Sequence, residues 1–194
     1  MVGVTSKIQG VMLLILEGSN RVGKTTFARH LKNNGWCYFK DTGCNLIGEE
    51  HFERLNQYRT SMISQIEVLK ALSEQTNIVV DRFHITEMVY RSMSPLVCGK
   101  TYIECLRAVN DEIEERIPNG TKLMLLKREY CEDEKMKEYL DDIQNKFESE
   151  VKRSKLDSMT IDISSVDLSR VHEWIGVGIG QNKKIVFTEG KVSI

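Results

Sequence analysis

The sequence predicts an α/β fold in which a five-stranded parallel sheet is sandwiched by helices. Three observations carry this. Short apolar runs recur along the chain, and longer segments with apolar residues at helical spacing separate them. The first run also ends in a glycine-rich loop that opens into a helical pattern. Strands that alternate with helices are joined by crossovers, which makes them parallel and covers both faces of the sheet.

Taken in order, Val11–Glu17 reads as a buried first strand, and "TTFARHLKNN" after the glycine loop as a helix. Trp36–Lys40 is the second strand. Over 49–75, Phe52, Leu55, Met62, Ile66 and Leu69 recur at helical spacing. Asn77–Val80 is the third strand and runs into Asp81-Arg82; Thr121–Lys127 is the fourth. Met136, Leu140, Ile143, Phe147 and Val151 mark the packed face of a heavily charged helix, and Met159–Ile163 is the fifth strand. The tail "KKIVFTEGKVSI" reads as a β-hairpin turning at Glu189-Gly190, an extension over 176–194 of a single domain spanning 1–194.

Composition narrows the classes of function. A chain of 194 residues, 41% hydrophobic and 28% charged, suits one soluble domain. A net charge of −1 gives no long-range attraction to nucleic acid or anionic membrane, so any anion site is local. The run Val11–Leu16 is too short to span a bilayer or to serve as a signal peptide. A cytoplasmic protein is expected, in the host cytoplasm if the source is viral. Cys37, Cys44, Cys98, Cys105 and Cys131 form no C-x-x-C pair and are odd in number, which fits incidental thiols in a reducing compartment. The four histidines show no ligand spacing.

Gly18-Ser19-Asn20-Arg21-Val22-Gly23-Lys24-Thr25 fits G-x-x-x-x-G-K-[ST]. The glycines let the backbone curl so that successive N–H groups face phosphate oxygens. The helix that follows, "TTFARHLKNN" with Thr26 in its first turn, presents its positive dipole end to the same anion. Lys24 is placed to reach the transferring phosphate. Thr25 offers a hydroxyl to Mg2+, and Asp81 a carboxylate acting on that ion through water. ATP and Mg2+ are the expected cofactors.

Among users of such a loop, a GTPase switch would carry D-x-x-G, which is absent, and N-K-x-D, where Asn182–Ile185 ends without a carboxylate. A motor ATPase would end a strand in paired acids; here Asp81 is followed by the cation Arg82. Phosphoryl transfer is catalysed mostly by positioning and by neutralising charge on the phosphoryl oxygens. Arg21 in the loop, Lys40 at the end of the second strand and Arg82 at the end of the third suit that task. The strand ends of an open parallel sheet share one crevice.

"LEGSNRVGKTT" resembles the phosphate loop of the thymidylate kinases, in which an arginine inside the loop stabilises the transferring phosphoryl group. "FKDTG", Phe39–Gly43, stands where that family has R-E-P-G. "DRF", Asp81–Phe83, resembles its D-R-Y, whose arginine contacts the acceptor phosphate. "HITEMVY", His84–Tyr90, is similar to viral and prophage relatives labelled thymidylate or deoxynucleoside kinase. The resemblance implies a P-loop kinase fold with a short lid. Catalytic roles would fall to Lys24, Arg21, Arg82, Asp41 and the lid residue Arg128. It also implies an acceptor held by Lys40, Asp41, Asp81 and Arg82, with Phe83 stacking on its base and Gln57, Tyr58, Arg59 or Gln65 reading its edge. Homodimers are common in the family. Three departures stand out: Asn20 replaces the loop aspartate, Lys40 an arginine and Thr42 a proline.

The acceptor stays open at this level. A nucleoside 5′-hydroxyl must lose a proton as it attacks, which a carboxylate such as Asp41 would assist. A monophosphate is already anionic and needs cations instead. The reading favoured is a deoxynucleoside monophosphate, with a pyrimidine as its first candidate base, over a deoxynucleoside or a hydroxymethyl-pyrimidine carried on a nucleotide or in DNA. A nucleotide-binding module without transfer is the contrasting class.

Overall fold

A computed structural model describes residues 12–40, 51–93, 95–128, 134–165, 186–188 and 191–193 of the protein. The elements are β1 (Leu13–Glu17), α1 (Lys24–Asn33), β2 (Cys37–Lys40), α2 (His51–Ser73), β3 (Ile78–Asp81) and α3 (His84–Ser92). After them come α4 (Pro95–Arg116), β4 (Lys122–Lys127), α5 (Glu134–Arg153), β5 (Asp157–Asp162), a 3-10 turn (Ile163–Ser165), β6 (Val186–Thr188) and β7 (Lys191–Ser193).

Five strands pair in parallel in the order β2-β3-β1-β4-β5. Successive side chains on a strand face opposite ways, and the apolar residues sort accordingly. Leu13, Ile15, Ile78, Val80, Leu123 and Leu125 join a core built with α2, α3, α4 and α5. Leu14, Leu16, Val79, Met124 and Leu126 join a second core with Phe27, Ala28 and Leu31 of α1 and with Trp36. The helical layers are therefore unequal among the described residues, with α1 on one face and four helices on the other. β1 is buried along its whole length because it lies mid-sheet between both layers.

That arrangement opens a crevice. β1 and β3 are neighbours, yet α1 leaves β1 toward one face and α3 leaves β3 toward the other. The carboxyl ends of two adjacent strands are thus left uncovered, the usual ligand position in open parallel sheets.

The larger layer contains a buried polar network. His84 Nε2 lies 2.9 Å from Glu114 Oε1, Asn110 donates to the His84 carbonyl at 3.0 Å, and Tyr58 donates to Asn110 Oδ1 at 3.0 Å. Burial pushes the Glu114 carboxyl up. Hydrogen bonds from His84, Ser154 and the Lys155 amide, together with attraction to His84, outweigh that and hold it down at about 2.

β5 begins earlier than its apolar pattern indicates. Asp157 and Ser158 are exposed at the sheet edge but pair with Lys122 and Leu123, and Asp157 also forms an ion pair with Lys122. Edge residues of this kind carry no hydrophobic signal. β6 and β7 form a separate antiparallel pair, Phe187 opposite Val192, and the turn residues 189–190 lie outside the described residues. No helix among the described residues is long and apolar enough to cross a membrane.

Candidate active site

The loop between β1 and α1 is shaped by left-handed backbone. Gly18 has φ +139°, Arg21 +62° and Gly23 +100°. At Gly18 the constraint is also one of space, because a Cβ there would stand 2.4 Å from the Leu126 carbonyl oxygen of β4. Gly18→Ala should therefore destabilise the protein by roughly 3 kcal/mol, read as a fall in its urea midpoint, and should abolish nucleotide binding. A variant with an unchanged midpoint would contradict this packing.

Lys24 opens α1 and is 4% exposed. Its ammonium donates to the carbonyls of Gly18 at 2.7 Å and Ser19 at 2.6 Å, which leaves one of its three N–H donors for an anion. Burial and the nearby Arg82 charge lower its pKa to about 8, against the opposing pull of Glu17 and Asp81.

A cavity of about 260 Å³ lies over this loop, lined by Arg21, Gly23, Lys24, Thr25, Thr26, Lys40, Asp81 and Arg82. The sheet register brings the distant members together, since Lys40 stands opposite Asp81 and Asp81 opposite Leu16. Asp81 is buried. Its Oδ2 accepts hydrogen bonds from Thr25 Oγ1 at 2.6 Å and from the Tyr38 hydroxyl at 3.2 Å, while the buried Oδ1 has no partner. A buried carboxylate oxygen left open beside a threonine hydroxyl fits a hard, oxygen-seeking cation such as Mg2+. Among the described residues no group of three or more His, Cys, Asp or Glu side chains is placed to hold a metal. Water and phosphate oxygens would complete the shell, as is usual for Mg2+.

Arg82 is the second non-glycine residue with positive φ, at +72°. Its amide donates to the Leu16 carbonyl at 2.9 Å, and its guanidinium donates to the Asn20 side-chain oxygen. The Asn20 amide in turn donates to the Tyr90 hydroxyl of α3 at 3.1 Å. The two left-handed arginines thus line one cavity. Strained backbone concentrates where function requires a side chain in a particular place.

A second cavity, of about 310 Å³, shares Lys40 with the first and is otherwise lined by Phe39, Ser61, Ser64, Gln65, Val68, Leu69 and Val80. Of the residues expected to read a base, the structure places Gln65 here. Gln57 is exposed on α2 and lines neither cavity. Arg59 is turned to α4, where Nε and Nη2 each donate to Glu112 at 2.6 Å, and Tyr58 is bonded to Asn110 in the core. Phe83 is 2% exposed and packs edge-on against His84, so its ring serves the core and offers no stacking face. Arg128 is exposed just past β4, and its neighbour Lys127 pairs with Glu148 of α5. Asp41 and residues 129–133 of the expected lid lie outside the described residues.

Tyr38, Tyr90 and Glu17 escaped sequence reasoning. Glu17 alone left a signal, as an acid ending the apolar run "LLILE". Tyr38 and Tyr90 meet partners 43 and 70 residues away, respectively, which no local pattern shows.

A phosphate loop at the carboxyl edge of a five-stranded parallel sheet flanked by helices is the fold of the P-loop kinases, and this chain has it. Within that class, solved thymidylate kinases share its architecture. The enzyme of Ehrlichia chaffeensis superposes with a TM-score of 0.58 at 16% identity, covering 86% of this chain and 97% of that one. The enzyme of Candida albicans gives 0.60 at 12% identity, covering 88% and 92%. The YorR protein of Bacillus subtilis, solved in complex with phosphorylated GDP, gives 0.54 at 16% identity, covering 84% and 93%. At these identities it is the fold that is shared. Neither a family model nor a curated protein sequence matches the chain.

Proposed function

We propose that the protein is an ATP- and Mg2+-dependent kinase that transfers a phosphoryl group to a deoxynucleoside monophosphate, with a pyrimidine nucleotide as the first candidate. The observation that carries this reading is that two cavities have Lys40 in common in their linings. One gathers Arg21, Lys24, Lys40 and Arg82 around the Thr25–Asp81 pair; the other is walled by Phe39, Leu69 and Val80 and carries the Gln65 amide.

In this reading the loop amides and Lys24 hold the donor triphosphate. Arg21 faces the group in transfer, Arg82 and Lys40 grip the acceptor phosphate, and Gln65 meets the base edge with one donor and one acceptor. Thr25 and Asp81 would hold Mg2+, which when bound neutralises charge on the phosphate oxygens. Among the described residues that line this cavity, four cations against the carboxylate of Asp81 favour an anionic acceptor over a neutral hydroxyl. A cytoplasmic location and a homodimer belong to the same reading. The thymidylate kinase fold seen in the Ehrlichia and Candida structures supports it.

The test is a panel assay. The protein, γ-labelled ATP and Mg2+ are offered all deoxynucleosides, their monophosphates, hydroxymethyl-pyrimidine forms and oligonucleotides. Label should appear with a monophosphate. The breadth matters because the Candida structure was described as revealing the origin of broad substrate specificity in that enzyme. Binding of ATP without labelled product from any acceptor would make the protein a nucleotide-binding module. Asp41→Asn should leave turnover within about threefold for a monophosphate acceptor, and a loss of about a hundredfold or more would move the reading to a hydroxyl acceptor with Asp41 as its base.

A further inference from the structure

The first turn of α3 is capped by a carboxylate from another strand. Phe83, the residue before the helix, supplies no side-chain cap. Glu17, at the end of β1, supplies it instead. Its Oε1 accepts from the amides of Phe83 at 3.0 Å and Ile85 at 3.2 Å, and its Oε2 accepts from the Thr86 hydroxyl. Glu17 is wholly buried and lines neither cavity, so it touches no substrate in the proposed reaction. A carboxylate is costly to bury, and a helix N-terminus with directed N–H donors is one of the few places that compensate it.

What makes this cap unusual is the pair of residues it joins. Glu17 is bonded to Gly18, the root of the phosphate loop, while Phe83 is bonded to Arg82. Arg82 holds φ +72°, a conformation that persists only where its surroundings over-determine it. Those surroundings are the Leu16 carbonyl on the Arg82 amide and Glu17 on the donors that follow. We propose that Glu17 is a positioning residue for Arg82, tying α3 to the root of the phosphate loop and so fixing where the Arg82 guanidinium stands relative to the Lys24 ammonium. The catalytic part of this rests on the kinase reading above.

The test is a double-mutant cycle on the full chain, with kcat and KM expressed per folded molecule. Glu17→Ala should lower kcat by about a hundredfold, the scale of a misplacement near 1 Å, and leave ATP affinity within about threefold. In an Arg82→Ala background the same change should cost almost nothing further. Glu17→Gln keeps a carbonyl for the two amides and should recover about tenfold of the loss. It also carries the cycle if the alanine variant does not fold. Losses that multiply in the double variant would overturn the proposal, as would a lowered folded fraction with unchanged kcat.

A readout independent of turnover is the Arg82 side-chain N–H resonance, assigned by its disappearance in Arg82→Ala. It should stand apart from those of solvated arginines in the unmodified protein and merge with them in Glu17→Ala. If the unmodified protein transfers nothing but this merging occurs, the kinase reading fails and the positioning role stands. If the resonance is indifferent to Glu17, the positioning role fails whatever the turnover.

Discussion

Lys24→Ala should lower turnover by about 10²–10³-fold while the protein remains folded. Lys24 is almost wholly buried, so in the kinase reading its charge would act on developing phosphoryl charge at low effective dielectric. The same burial makes Lys24 costly to the fold. A shift from 10.5 to about 8 corresponds to roughly 3 kcal/mol against the charged form. Truncation relieves that cost but removes the donors to the Gly18 and Ser19 carbonyls, so the melting temperature should move by only a few degrees.

The lowered pKa also fixes a sign. Below about pH 8 folded and unfolded chains both carry the proton, and the cost is fully present. Between about 8 and 10.5 the unfolded chain keeps a proton that the folded one has lost, so stability gains from Lys24 as pH rises through that window. ATP affinity should run the other way, because a bound triphosphate requires the ammonium, and binding should weaken as pH rises past about 8. Urea unfolding and calorimetric titration across that range measure the two slopes. Both should vanish in Lys24→Ala. An ATP affinity flat from pH 7 to about pH 10 would show that Lys24 is not the group that meets the phosphates.

The contrast between what was legible and what was not follows from the range of the interactions. The phosphate loop is contiguous, so its spacing could be read directly, although the bonds of Thr25 to Asp81 and of Asn20 to Arg82 span 56 and 62 residues. The strand ends could be read as well, because Lys40 and Asp81 close apolar runs and a parallel register sets them side by side. The face of α2 could not. Arg59 and Gln65 are six residues apart, about 240° around the helix, so only one of them can meet a given cavity. Which one depends on Glu112, 53 residues from Arg59, and so on where α4 packs. Phe83 misled for a related reason. An aromatic after Asp81-Arg82 suggests stacking, but α3 starts one residue later and turns the ring into the core beneath it. Val68 shows the converse. It is apolar yet lies off the face marked by Leu55, Met62, Ile66 and Leu69; it lines the second cavity and is 53% exposed.

If the kinase reading holds, Arg21→Ala should lower kcat by about a thousandfold, the scale for an arginine that faces a transferring phosphoryl group, and leave the acceptor KM within about threefold. The backbone gives a reason to expect an effect confined to the transition state. Arg21 holds φ +62°, where a side chain with a Cβ pays about 1–2 kcal/mol relative to ordinary helical backbone. Glycine would fill the same position without that cost. The loop nevertheless carries an arginine that lines the cavity alongside Lys24 and Arg82. Local stability is thus given up for a cation at the cavity, and in the kinase reading that cation would stabilise charge developing on the phosphoryl group. Arg21→Gly separates strain from function. It should be more stable than Arg21→Ala by up to about 1 kcal/mol in urea unfolding, yet equally slow. If the glycine variant regained turnover, the loop's conformation would be what matters and the cation would not. If either variant raised KM with kcat intact, Arg21 would hold the acceptor in its ground state, and charge stabilisation during transfer would fall to Lys24 and Arg82.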